Sequence, residues 1–64
     1  MTETAELFAR FTCVIEDMHG IAVEGQAADL PDEASKALAA HLTTGIKRAS
    51  SILDAIERNT GGKS

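Results

Sequence analysis

The stretch Asp29-Leu30-Pro31-Asp32-Glu33 separates two long segments in which apolar residues recur at three- and four-residue spacing. Its proline is the only one in the 64-residue chain. Proline fits the first turn of a helix and biases the residue before it away from helical geometry. Acidic residues beside it suit the positive end of the helix dipole. The stretch therefore predicts the turn of a helical hairpin, with residues 29–31 in the turn.

The segment before the turn predicts one amphipathic helix, from about residue 2 to about residue 28. Thr2 or Thr4 can cap its first turn. Gly20 interrupts the pattern, and a glycine inside a helix costs about 1 kcal/mol relative to alanine. We expect the helix to be weakened or kinked there. The alternative is a break at Gly20 followed by a short second segment.

The segment after the turn predicts a second helix, from about residue 32 to about residue 59. Asp29 or Asp32 is its expected cap. Asn59-Thr60-Gly61-Gly62 ends the apolar periodicity, and residues 60–64 are expected to form a tail.

A chain of 64 residues has little room for a hydrophobic core of its own. Cys13 is the only cysteine, so an intrachain disulfide is excluded. Two helices leave one side of each apolar stripe open, and two hairpins packed together close it. The sequence therefore predicts an all-α fold, a two-helix antiparallel hairpin that dimerises into a four-helix bundle. The predicted dimer core comprises Phe8, Phe11, Ile15, Met18, Leu38, Leu42, Ile46, Ala49, Leu53 and Ile56.

The turn also predicts which residues of the two helices meet. Folding the chain there pairs residues whose numbers sum to about 60, because successive levels of an antiparallel pair add to a constant. Met18 is then expected to meet Leu42, and Phe11 to meet Ala49.

Charge is divided unequally between the halves of the chain. Residues 1–33 hold eight acidic residues against Arg10 alone, a net −7, whereas residues 34–64 hold five basic and two acidic residues, a net +3. Opposite charge favours antiparallel pairing. The total of −4 argues against non-specific binding to nucleic acid or to an anionic membrane. The sequence shows no signal peptide or membrane span, and its unpaired cysteine fits a reducing compartment, so we expect a cytoplasmic protein.

Glu16 and His19 have the Glu-x-x-His spacing of carboxylate-bridged di-iron bundles, in which two positions on one helix face grip an ion. A helical wheel directs Glu16 to solvent, and the second helix has no partner glutamate on its core face. His41 falls on the other edge of the helix seam from His19, so the two histidines meet only across a dimer interface. We interpret all three as solvated or interface-edge residues, keep them as metal candidates, and expect no cofactor.

Lys36, Lys47, Arg48 and Arg58 give the second helix outward positive charge. A hairpin dimer of this kind resembles RNA-binding dimers of the Rop type in architecture, although not in any sequence motif. That resemblance implies an RNA-binding surface on these four residues. The outward surface has no aromatic residue for base stacking, which weighs against this alternative.

No nucleophile, base and orienting group can be assembled from this sequence, and a two-helix domain offers little concavity for a substrate. We therefore expect no enzymatic activity. The leading hypothesis is a small acidic regulator, adaptor or inhibitor that binds itself and another protein through helix-face packing. RNA binding by the second helix and metal binding by the bundle are the alternatives.

Overall fold

The chain forms two α-helices in a computed structural model that describes residues 2–61. Helix α1 covers Glu3–Glu24 and helix α2 covers Asp32–Gly61, and the two pack against each other. The predicted all-α hairpin is therefore confirmed. Residues 60 and 61 of the predicted tail belong to α2, and residues 62–64 lie outside the described residues.

Helix α1 begins at a side-chain cap and passes through its interior glycine. The Thr2 hydroxyl oxygen accepts a hydrogen bond of 3.1 Å from the backbone N–H of Ala5, which satisfies one of the free donors of the first turn. Gly20 lies within the continuous helix, so the alternative break does not occur there.

The link between the helices is longer than the predicted turn, because α1 ends at Glu24 rather than near residue 28. The backbone N–H of Gln26 donates to the Val23 carbonyl oxygen at 3.1 Å. A hydrogen bond between residues three apart, as in a 3₁₀ turn, tightens the chain after the last helical turn. Pro31 immediately precedes α2, and its carbonyl oxygen accepts the N–H of Ser35 at 3.0 Å. Pro31 thus lies one residue before α2, and Asp32, one of the two expected caps, is the first helical residue.

The two helices meet along one seam. Half-buried residues recur on each helix at alternating spacings of three and four, the pattern of knobs packing into holes along a coiled coil. Only Ile56, at 7% exposure, is buried among the described residues. The seam consists of Thr4, Leu7, Phe11, Val14, Met18 and Ile21 on α1 and of Leu38, Leu42, Gly45, Ala49, Ile52, Ile56 and Asn59 on α2.

Met18 packs closely against Gly45 in the seam. A Cβ atom placed on Gly45 would lie 2.7 Å from Met18 Cγ and 2.9 Å from Met18 Sδ, so the thioether fills the space that a side chain would otherwise occupy. Met18 therefore contacts α2 one turn beyond Leu42, its predicted partner. Counting residues from the turn brings Met18 to within about one helical turn of Gly45, and a flexible methionine packs well into the hole above a glycine.

We predict opposite effects for alanine at the two helix-interior glycines. Alanine gains about 1 kcal/mol of helix propensity over glycine. A Cβ at Gly20 meets nothing within 4 Å, so Gly20→Ala should raise the free energy of unfolding by up to that amount. Gly45→Ala should lower it by about 1–2 kcal/mol, since overpacking against Met18 outweighs the gain.

Urea denaturation followed by circular dichroism, at one fixed protein concentration, measures both changes. A Gly45→Ala protein as stable as the Gly20→Ala protein would contradict the tight Met18 contact. We do not expect the double variant Met18→Ala with Gly45→Ala to regain the lost stability. Met18→Ala relieves the overpacking but also removes an apolar side chain from the seam.

Candidate functional site: an apolar face and a basic groove

Five large apolar side chains of the described residues are exposed, and we name four of them, all but Val23, the apolar face. Phe8 is 53% exposed, Ile15 42%, Ile46 59% and Leu53 44%. All four belong to the predicted dimer core, whereas the other six predicted core residues lie in the seam. A helical wheel merged the two sets because neighbouring members, such as Phe8 and Phe11, are only about 60° apart.

Helix geometry puts these four side chains on the same side of the hairpin. Each follows a seam residue by one position, as Phe8 follows Leu7 and Leu53 follows Ile52. Moving one residue toward the C-terminus rotates the side-chain direction by about 100° around the axis, with the same handedness in both helices. Because the helices run in opposite directions, both turns lead to the same side of the seam. Phe8 is then nearly level with Leu53, and Ile15 with Ile46.

The apolar face lies within a stripe that is nearly free of charge. Thr12 lies between Phe8 and Ile15, and Thr43 precedes Ile46. Both hydroxyls donate to carbonyls of their own helix, at 3.0 Å to Phe8 and 3.1 Å to Ala39. Their hydrogen-bond donors are therefore satisfied without water. The stripe comprises Ala5, Phe8, Thr12, Ile15, His19 and Ala22 on α1 and Ala39, Thr43, Ile46, Ser50, Leu53 and Glu57 on α2. His19 and, at one end, Glu57 are its ionisable residues.

The opposite side of the hairpin carries a shallow groove between the helices, which we name the basic groove. Two adjoining hollows that share Val14, Asp17, Thr44 and Arg48 make it continuous. The first contains His41 and the second Arg10, Cys13 and Lys47. Three basic residues and one acidic residue thus line the groove, a local excess of positive charge in a chain of net charge −4. None of the four apolar-face residues lines it.

The residues predicted to bind nucleic acid do not gather into one patch. Lys47 and Arg48 line the basic groove, whereas Lys36 and Arg58 do not. Lys36 and Arg58 are 22 residues apart on α2, a separation of about 33 Å along the helix axis. Arg10 joins the groove from α1. It was not among the residues predicted to bind nucleic acid, because only the alignment of the two helices brings it close to Lys47 and Arg48.

Among residues 2–61, no group of three or more His, Cys, Asp and Glu side chains is placed to hold a metal ion. Glu16, His19 and His41 therefore form no such group within one chain. His41 lies in the basic groove and His19 in the stripe of the apolar face, on opposite sides of the hairpin. Metal binding across a dimer interface stays a prediction.

Comparisons with protein-family models, with curated proteins and with solved structures found no match to this chain. Over residues 2–61, neither helix combines the length and the apolar character needed to cross a bilayer.

The groove and the seam should differ in thiol accessibility. Cys13 is exposed in the basic groove, so a thiol reagent such as DTNB should modify the folded protein within about tenfold of its rate in urea. As a matched control, Cys13→Ser combined with Ala49→Cys places the thiol in the half-buried seam, where modification should be slower by about a further tenfold or more. Equal rates at the two positions would contradict the exposure of Cys13 in the groove and the partial burial of position 49 in the seam.

Proposed function

We propose that this chain is a small homodimeric protein–protein interaction module, in which the apolar faces of two copies pack together as a four-helix bundle. The observation that carries the proposal is the exposure of Phe8, Ile15, Ile46 and Leu53 on one side of a single hairpin. Monomeric soluble proteins rarely expose a contiguous patch of this kind without using it for binding.

The surface area of the chain supports an occupant of dimer size. Its accessible surface is 4907 Å², whereas a compact monomer of 6.7 kDa has about 3,900 Å². The excess of about 1,000 Å² exceeds the roughly 800 Å² that each partner contributes to a standard interface. A second hairpin on the apolar face is large enough to cover this excess.

The shape and chemistry of the chain favour a second copy as that occupant. Its Cα atoms span 51 × 18 × 11 Å, the dimensions of a single layer two helices wide. A second layer laid on the apolar face completes a bundle in which every helix has two neighbours. Phe8 and Ile15 match Ile46 and Leu53 in spacing, so the face is complementary to itself, as a two-fold interface requires. Its threonine hydroxyls are already bonded, so burial leaves them satisfied.

As an interaction module, the dimer would present rigid outer helix surfaces to another protein, in the role of a regulator, adaptor or inhibitor. The absence of strong clustering among Lys36, Lys47, Arg48 and Arg58 makes RNA binding the weaker alternative.

Size-exclusion chromatography with light scattering tests the dimer. The wild-type chain should give twice the 6.7 kDa mass of one chain. Ile46→Glu should weaken the dimer by at least about 2 kcal/mol, roughly 30-fold in Kd, because it buries an unpaired charge at the interface. Val23→Glu is the matched control: Val23 is 50% exposed but lies off the apolar face, so this protein should remain dimeric.

Circular dichroism separates dissociation from unfolding in these variants. If Ile46→Glu loses its helices as well, the milder Ile46→Ala and Leu53→Ala should still weaken the dimer by graded amounts. Cys13, on the opposite side, should be modified at one rate above and below the dimer Kd. A wild-type particle of one chain's mass at millimolar concentration would overturn the proposal, as would equal dissociation by Val23→Glu and Ile46→Glu.

A further inference from the structure

We propose that the basic groove binds an acidic amphipathic helix of another protein. This inference rests on the proposed interaction function and names the chemistry of the partner. The groove and the apolar face lie on opposite sides of a layer whose Cα atoms are 11 Å deep. Dimerisation through the apolar face therefore leaves the groove open on each outer side of the bundle.

The groove has the length and floor that a helix needs. It extends on α1 from Arg10 to Ile21, about 17 Å or three helical turns. Seam residues such as Val14 and Met18 form its floor and are only half-buried, so they still present apolar surface. An amphipathic helix buries its apolar face against such a floor. Small residues at the walls, which let a partner backbone approach, are Cys13, Ala40, Thr44, Gly45 and Ser51.

Charge complementarity specifies an acidic partner. Arg10, Lys47 and Arg48 line the groove against Asp17 as its only carboxylate, a local net charge of +2 at neutral histidine. Of the five basic residues within residues 2–61, only Lys36 and Arg58 lie elsewhere. Guanidinium groups bind carboxylates with two parallel hydrogen bonds, which orients as well as attracts a Glu or Asp side chain. The groove is thus positive on a molecule whose net charge of −4 repels acidic proteins elsewhere.

Nucleic acid fits the groove less well than an acidic helix does. None of the groove residues is aromatic, so bases have no stacking platform. Asp17 stands where both hollows join and repels a continuous phosphate backbone, whereas a helix can place an apolar or basic side chain opposite it.

The test uses the full-length chain and a fluorescent synthetic peptide of about 14 residues, with leucines at helical spacing flanked by glutamates. A peptide with lysine in place of glutamate and a single-stranded RNA oligonucleotide are the comparison ligands. Fluorescence anisotropy reports binding, and the alkylation rate of Cys13 reports whether the ligand occupies the groove. The glutamate peptide should bind, slow Cys13 alkylation by about fivefold, and bind about tenfold more weakly in high salt than in low salt.

Two charge-matched double variants locate the binding site. Lys47→Glu with Arg48→Glu should weaken peptide binding by about tenfold or more. Lys36→Glu with Arg58→Glu makes the same change in net charge outside the groove and should weaken binding by less than about threefold. Light scattering and circular dichroism verify that each variant keeps its mass and helicity. If the first pair misfolds, Lys47→Gln with Arg48→Gln should still weaken binding.

Each other outcome decides against the groove proposal. Equal weakening by both double variants, or equal binding of the lysine peptide, indicates non-specific attraction and overturns it. Protection of Cys13 by RNA and not by the glutamate peptide overturns it in favour of nucleic acid. A dimer that leaves Cys13 unprotected refutes the groove while the proposed dimer stands. A monomer whose Cys13 is protected by the glutamate peptide refutes the dimer and supports the groove.

Discussion

Met18 packs against Gly45 where the two helices align, and the two surfaces of the hairpin depend on that alignment. A methionine can occupy this level of the seam only because the opposite position has no side chain. Once Met18 is seated there, Phe8 comes nearly level with Leu53 and Ile15 with Ile46. A slip of one helical turn would still leave these side chains on the same side, but it would separate the large residues into staggered, unmatched pairs.

A second constraint is that one layer of two helices cannot bury two stripes. The seam absorbs one apolar stripe from each helix, and yet only Ile56 is buried among the described residues. The remaining apolar residues sit next to the seam and cannot be covered by the same chain. Small domains commonly recover the missing burial by association. The large accessible surface and the exposed apolar side chains therefore have the same cause, which is that two helices alone bury little apolar surface.

The sequence predicted the hairpin because its signals are local: Pro31 immediately precedes α2, Thr2 caps α1, and apolar spacing identifies both helices. It did not separate Phe8 from Phe11, since the two differ by only about 60° around the helix and both are apolar. It also missed the end of α1 at Glu24, because Ile21 and Ala22 continue the periodicity up to that point. The basic groove was out of reach for another reason: Arg10 and Lys47 come from different helices, and only the register brings them to one groove.

Because the apolar face and the basic groove lie on opposite sides, the two proposed interactions would not compete for one surface. In the proposed bundle, self-association consumes the apolar face and leaves one groove on each outer surface, related by the two-fold axis. Two equivalent grooves allow a partner with two acidic helices to bind both at once, which raises its apparent affinity by effective concentration alone. Since neither groove is strongly concave or charged, such bivalency would strengthen the proposed binding more than any single contact in one groove.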